Sequence, residues 1–297
     1  RFHMSNINAA IGLEQLKRID DFKQKRQKIV QYYLNAIVPI SELTALTLDQ
    51  HEIIPHINEG NDGTEDYLKS ENIRYTKTTY NAGICEGMNL ASNKAKFDYI
   101  LYAHDDFYFC PEWDSTLINE VKLIGHKKFY LSGIMINNGP LKYNCGNNIN
   151  DFDEKELLDN YQNVNHYDFQ GSTWAPHLIH RDLWNKVGGF SEEFSPGLGS
   201  DPDFNMKLWN IGVRLFKGLG NCRVYHFSSL SLRKKAWNNG AKTFLLKWGI
   251  SIKFFKKYYL RSDQVFKEIL KEPDKNLNYY IGLIKCKIAY YFHSIIS

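Results

Sequence analysis

Two acidic clusters, far apart in the chain, hold the side chains best suited to chemistry. The first lies in Tyr99-Ile-Leu-Tyr-Ala-His-Asp-Asp-Phe-Tyr108; the second closes Gly188-Gly-Phe-Ser-Glu-Glu-Phe-Ser-Pro-Gly-Leu-Gly-Ser-Asp-Pro-Asp-Phe204. In the first, an apolar run reads as a buried strand that ends at His104, Asp105 and Asp106. Carboxylates at the carboxyl edge of a parallel sheet face the crevice where open α/β folds take ligands. They are hard oxygen donors of the kind Mg²⁺ or Mn²⁺ prefers, and such an ion neutralises a diphosphate. In the second cluster, Asp201 and Asp203 offer a carboxylate for proton transfer. The same two residues, with Ser200, suit the cap and the dipole of a following helix. His226 closes a later apolar run, where a neutral imidazole serves either as a Mn²⁺ ligand or as a core residue.

These residues need elements to position them. The segment 5–36 has helical spacing at Ile7, Ala10, Ile11, Leu13 and Leu16, then turns charged. Beyond it, short apolar runs alternate with helical stretches. The runs Ala36–Ile40, Glu52–Ile57, Ile73–Thr76, Tyr99–Ala103, Lys128–Met135, Thr173–His180 and Arg223–Phe227 are predicted strands. Ser41–Leu48, Gly63–Ser70, Ile84–Ser92, Trp113–Ile124, Arg181–Val187 and Asp201–Ile211 are predicted helices. That alternation predicts a mainly parallel sheet with helices on both faces. The polar stretch 137–165, with a short helix at Glu154–Tyr161, is either a functional loop or a disordered insertion. From about Leu230 the chain turns basic and aromatic, with helices expected over Lys234–Leu246, Lys247–Tyr259 and Leu277–Ile296. The last of these suits either a membrane interface or packing against the domain or a partner.

Composition sets the outer bounds. The 297 residues suffice for one large domain with appendages, and 43% hydrophobic with 24% charged content is that of an ordinary globular protein. A net charge of +4 gives no reason to expect nucleic acid as a partner. Five cysteines without a C-x-x-C spacing point to reduced thiols in the cytoplasm. No secretory signal and no long apolar run is legible; the chain begins with Arg1, so its natural start is expected upstream.

Six segments occur in a familiar order: Asn58-Glu-Gly-Asn-Asp-Gly-Thr64, Asn81-Ala-Gly-Ile-Cys-Glu-Gly-Met-Asn89, His104-Asp-Asp106, Gly188-Gly-Phe190, Ser200-Asp-Pro-Asp203 and Val224-Tyr-His226. In these the chain resembles the family 2 glycosyltransferases over about residues 38–230. The resemblance implies a GT-A fold: a Rossmann-like, mainly parallel α/β sheet flanked by helices, here with a helical extension over 1–37 and a basic, aromatic helical tail over 231–297. It implies metal-dependent transfer, with inversion, of a sugar from a nucleotide-diphosphate donor to a hydroxyl of a cell-surface glycan. The implied cofactor is Mn²⁺ or Mg²⁺, the acceptor a glycan or a lipid-linked sugar, and the place the cytoplasm, at the inner face of a membrane.

The resemblance also carries residue roles. Asp106 would be the direct metal ligand, with His104 where the family's first Asp stands and His226 as a further ligand. Asp105 would contact ribose or metal-bound water. Asp201 would be the general base, Ser200 standing where Glu is frequent. Glu59 would take the nucleotide base or ribose, and Asn81 and Gly83 the phosphate at a helix N-terminus. Asp203 falls among the donor-binding positions, and Trp174 in a wall where it stacks on a sugar. Met88 replaces an Arg that relatives often carry, and Lys217, Arg233 and Lys234 are further phosphate partners to consider.

Residues 1–36 are similar instead to a segment of PLP-dependent sugar-nucleotide aminotransferases. The Schiff-base Lys of that family lies outside the segment, so no PLP is expected. The stretch 38–50 is shorter than the family's first strand, nucleotide loop and helix. A catalytically impaired nucleotide-sugar-binding protein is therefore the alternative. A nucleotidyltransferase ranks lower, because no Gly-rich basic phosphate loop is present.

Overall fold

The computed structural model describes residues 52–148, 151–164, 166–227, 238–262 and 264–295. The expected helix over 5–36, the strand Ala36–Ile40, the helix Ser41–Leu48 and the residues Arg233 and Lys234 lie outside them. The chain parts into two compact units, Arg1–Asn81 and Ala82–Ser297.

In the first unit, β1 (His56–Asn58) and β2 (Thr76–Thr78) pair in parallel through α1 (Thr64–Ser70). Glu65 and Asp66 sit in the first turn of α1 and Lys69 in its last, as the helix dipole favours. Both strands lie later than predicted, by one to four residues at each end, because the His56 ring bridges the hydroxyls of Thr76 and Thr78 across the pair.

The second unit runs α2 (Gly83–Ser92), β3 (Tyr99–Tyr102), β4 (Phe107–Phe109), α3 (Trp113–Ile124), β5 (Phe129–Asn137), α4 (Glu154–Asn160), β6 (Phe169–Gln170), β7 (His177–His180), α5 (Arg181–Val187), α6 (Ser200–Asn210), β8 (Leu215–His226), α7 (Gly240–Trp248), α8 (Ile252–Phe254), a π-helical turn (Phe255–Leu260) and α9 (Leu277–Ile295). Its six strands form one mixed sheet in the order β3-β7-β5-β8-β4, with β6 on β8. The long β5/β8 pair is parallel, as the alternation predicted; β3/β7, β5/β7, β4/β8 and β6/β8 are antiparallel. Leu117 of α3 packs with Phe129, Leu131, Leu215, Leu219 and Cys222 from the two central strands. Each such fully buried side chain contributes about 1.5–3 kcal/mol.

Three departures from the predicted strands have local causes. β8 begins at Leu215, well before Arg223. The strand runs through Gly218 and Gly220, where a Cβ would lie 2.0 Å from the Phe169 ring and 2.4 Å from the backbone of His166, respectively. Glycine is there so that another segment can cross the strand closely. β7 starts at His177 rather than Thr173, since Pro176 has no N–H to give to a ladder. β4 was not foreseen: its short apolar run directly follows the acidic pair, and its three residues are all buried.

The polar stretch 137–165 is tied down where it is described. The Tyr225 hydroxyl receives the Cys145 N–H at 2.7 Å and donates to the Gly146 carbonyl at 2.5 Å, while Asp153 caps α4 through the Glu156 N–H. The expected helix Lys247–Tyr259 is broken at Gly249, which takes a left-handed φ of 70° as the C-cap of α7.

Candidate active site

The β4/β8 pairing builds the centre. Its register sets Phe107 opposite His226, and the Phe227 N–H donates to the Asp106 carbonyl at 3.0 Å. The acid that precedes β4 thus meets the histidine that ends β8. His226 Nε2 lies 3.2 Å from Asp106 Oδ2, and His104 Nδ1 lies 4.0 Å from Asp106 Oδ1. One ligand atom from each of His104, Asp106 and His226 falls within 4.8 Å of the others.

The surroundings of these three fit a divalent cation. His226 Nδ1 is 3.0 Å from the Asn138 carbonyl, which can only accept, so Nδ1 donates there; Nε2 faces Asp106, donating to it when the ring is charged and offering a lone pair to a cation when the ring is neutral. Asp106 Oδ1 is shielded and has no hydrogen-bond partner among the described residues. His104 Nε2 is 2.7 Å from the Tyr102 hydroxyl and its ring stacks on Phe107 at 4.8 Å, which fixes the orientation of Nδ1. Burial holds His104 below its ordinary pKa against the pull of Asp106, so it is neutral. Burial also opposes charge on His226, but the Asp106 hydrogen bond outweighs it and the pKa is raised. Asp105 is exposed between the two inward-facing residues.

Asp201 opens α6. Its Oδ1 is shielded and has no hydrogen-bond partner among the described residues, and burial pushes its pKa up from 3.8 to about 7. Its charge bears on Tyr102 and Tyr130. Tyr102 therefore stands in electrostatic reach of Asp201 and in hydrogen-bond contact with His104.

Asp203, two residues on, is fully buried and engaged. It accepts from Ser191 Oγ at 2.6 Å and Trp248 Nε1 at 2.8 Å, and pairs with Lys247 at 2.9 Å. These contacts join α6 to α7 and occupy the Asp203 oxygens. Lys217 is likewise engaged, by Glu120 and Asp168, each at 2.9 Å.

Gly83 opens α2 with a φ of 73°, and the Ile84 N–H donates to the Pro196 carbonyl at 2.9 Å. One of the donors expected for phosphate is thus already taken. In the first unit, Glu59 follows β1, is exposed, and holds a left-handed φ of 64° while its N–H donates to the Thr78 carbonyl. A carboxylate kept in that sparsely populated region is a candidate for function. Asn81 ends the same unit. Trp174 stacks on Phe169 at 5.5 Å, and its Nε1 is shielded without a partner.

Sequence reasoning missed a buried polar group near Asp201. His177 is fully buried, its Nδ1 lies 3.0 Å from the Tyr130 hydroxyl, and burial pushes its pKa down to about 3. Ser132 sits opposite His177 in the β5/β7 register, and Asn205 donates to the Ser172 carbonyl at 2.7 Å. His177 Nε2, Ser132 Oγ, Ser172 Oγ and Asn205 Oδ1 are shielded and unpartnered, like Asp201 Oδ1. Such atoms call for water or a ligand. The only signal in the sequence was polar residues within otherwise apolar strands.

The Gly188-Gly189-Phe190 turn is clamped by Asn89, whose side chain accepts the Phe190 N–H and donates to the Phe190 carbonyl, both at 2.9 Å. A Cβ at Gly189 (φ 62°) would meet Asn89 Oδ1 at 2.3 Å, whereas one at Gly188 (φ 73°) would meet nothing within 4 Å. Gly189→Ala is expected to cost roughly 2–3 kcal/mol and Gly188→Ala roughly 1 kcal/mol, read from urea midpoints.

A mixed α/β sheet with a metal-competent acid–histidine cluster at strand ends and a shielded carboxylate opening a helix defines the GT-A class of nucleotide-sugar transferases. The pattern of the glycosyl transferase family 2 matches residues 33–182, half of the chain. This chain belongs to that family and is a glycosyltransferase. Residues 1–58 match the DegT/DnrJ/EryC1/StrS aminotransferase family. Among solved structures, S. aureus TarS 1–349 is similar with a TM-score of 0.53 and 12% identity, over 90% of this chain and 69% of that one. The same protein in complex with UDP gives 0.52 and 12%, over 90% and 68%. No curated protein sequence matches the chain.

Proposed function

We propose that this chain transfers a sugar from a nucleotide-diphosphate donor to a hydroxyl of a growing glycan, free or lipid-linked, by a single inverting displacement in the cytoplasm. The observation that carries the reading is the convergence of His104, Asp106 and His226 on one point. Asp106 and the two imidazoles would hold Mn²⁺ or Mg²⁺. Bound there, the cation would neutralise the diphosphate as it leaves.

The remaining work falls to the chain's own groups. Asp201 Oδ1, shielded and with a pKa of about 7, takes the proton of the attacking hydroxyl. A base tuned near the working pH combines a usable ionised fraction with a strong pull on the proton. The shielded polar atoms of His177, Ser132, Ser172 and Asn205 would be met by buried waters. Trp174 supplies a flat apolar face for a sugar ring. Asp105 would take the donor's ribose, and Gly83 would lie beside its phosphates.

The similarity to UDP-bound TarS makes UDP-sugars the donors to test first. UDP release from a panel of UDP-sugars is expected to be sustained with Mn²⁺ and to fall by ~10²-fold or more after chelation. Proton NMR of the glycoside formed is expected to show an anomeric configuration opposite to that of the donor. Equal rates with and without a divalent ion, or a retained configuration, overturn the proposal.

A further inference from the structure

No helix among the described residues is long and apolar enough to cross a membrane, yet α9 keeps a face that nothing described covers. One side of α9 packs: Tyr279 and Cys286 are buried, and Phe254 of α8 lies 5.0 Å from Tyr279, ring to ring. On the other side, Leu277, Ile281, Ile284, Ile288, Tyr291 and Ile295 recur at alternating four- and three-residue steps and are 43–82% exposed. A contiguous apolar stripe of this length marks an interaction surface.

The charge around it says what kind. Lys285 and Lys287 are the only formally charged residues of α9, and both are exposed. Between Asn238 and Ser262 the sequence contains Lys242, Lys247, Lys253, Lys256, Lys257 and Arg261, and no Asp or Glu. Lys247 is taken by Glu193 and Asp203. Lys242, Lys253, Lys256 and Lys257, with His293 from the end of α9, line a groove of about 740 Å³ whose described lining holds no carboxylate. His293 follows Cys286 by seven residues, so the groove opens at the packed face of α9, while Lys285 and Lys287 flank the apolar stripe on either side. A second copy of this chain is a poor occupant, because pairing two such helices sets lysine against lysine with no acid to answer it. An anionic bilayer answers the stripe and its flanking charge: acyl chains take the Ile and Tyr side chains, lipid phosphates take Lys285 and Lys287, and the groove lysines behind add attraction at longer range.

We infer that α9 docks this protein on an anionic membrane surface, lying in the interface with its apolar stripe and the flanking Lys285 and Lys287 toward the lipid. This does not depend on the catalytic assignment, and its test has no enzymatic readout. The full chain is mixed with vesicles of phosphatidylcholine alone, or with phosphatidylglycerol at a third of the lipid, and sedimented. Binding is expected on the anionic vesicles and to be weakened severalfold between 0.05 and 0.5 M salt, by roughly the loss screening allows. Lys285→Glu/Lys287→Glu is expected to weaken it by about tenfold or more. Ile284→Asp/Ile288→Asp is expected to do the same on its own account. Both sets alter exposed or half-exposed side chains, and circular dichroism verifies that the fold is kept. Free phosphatidylglycerol headgroup (glycerol phosphate) is expected not to compete at millimolar concentration; full competition would mean that the groove takes a soluble phosphate instead. Equal sedimentation with both vesicle types, none with either, or a dimer by light scattering that Ile284→Asp/Ile288→Asp dissociates overturns the inference.

Discussion

Asp201→Asn is expected to lose turnover by ~10²-fold or more, to keep its affinity for donor, and to melt higher than the parent at pH 8. The first two outcomes follow from removing the base and leaving the metal cluster intact. The third follows from the cause of the pKa shift. The carboxyl is shielded without a partner, so the folded protein prefers it protonated. Its pKa rises from 3.8 to about 7, so between these values the folded chain binds more protons than the unfolded one. Stability due to this group therefore falls as pH rises through that window, and the penalty is fully present above it. Asparagine removes the ionisation, a gain of roughly 2–4 kcal/mol at pH 8 that shrinks toward nothing near pH 4. The parent's kcat/KM should fall about tenfold per pH unit below pH ~7 and level off above it. A variant that melts no higher at pH 8 than the parent would show that Asp201 is not held against its charge. Near-normal turnover would move the base elsewhere.

The fold was legible where an element's pattern is its own. Trp113–Ile124 and Arg181–Val187 fall where the periodicity put them, each ended by a glycine with positive φ. What was hidden depended on contacts remote in sequence. β8 runs through two glycines because Phe169 and His166 need the space. The antiparallel strands β4 and β7 flank the parallel β5/β8 pair, and no local signal sets that order. The helix expected over Lys247–Tyr259 failed at Gly249, a stop signal that was visible in the chain and underweighted.

The site divides in the same way. Strand-end position and residue type marked out His104, Asp106 and His226, and the β4/β8 register gathers them. For Asp201 and Asp203 the sequence left catalysis and capping open, and burial separates the pair. One carboxyl is shielded and unpartnered; the other is held by Ser191, Trp248 and Lys247. Nothing in the sequence distinguishes them, since Trp248 and Lys247 come from a helix that the family pattern does not reach. His177 and Tyr130 are the opposite case: each lies in an apolar run that reads as core, and only the polar atom within that run sets it apart.

Asp106→Ala is expected to weaken Mn²⁺ binding, measured calorimetrically in the presence of UDP, by more than ~10²-fold, beyond what loss of an outer-sphere partner causes. Asp106 is the one anion among the three converging groups, and two neutral imidazoles hold a hard cation poorly beside a diphosphate. The substitution leaves the Phe227 N–H bond to the residue 106 carbonyl in place, so the β4/β8 register that carries His226 persists. Tyr102→Phe makes the graded comparison. It removes the hydroxyl 2.7 Å from His104 Nε2 without touching a metal-facing atom, and it should weaken Mn²⁺ by roughly 10-fold, through orientation alone. If Tyr102→Phe binds Mn²⁺ as the parent does while Asp106→Ala does not, His104 is a neighbour of the centre and not a ligand. If Asp106→Ala binds Mn²⁺ normally, the three side chains converge for packing, and the diphosphate must be neutralised by other groups.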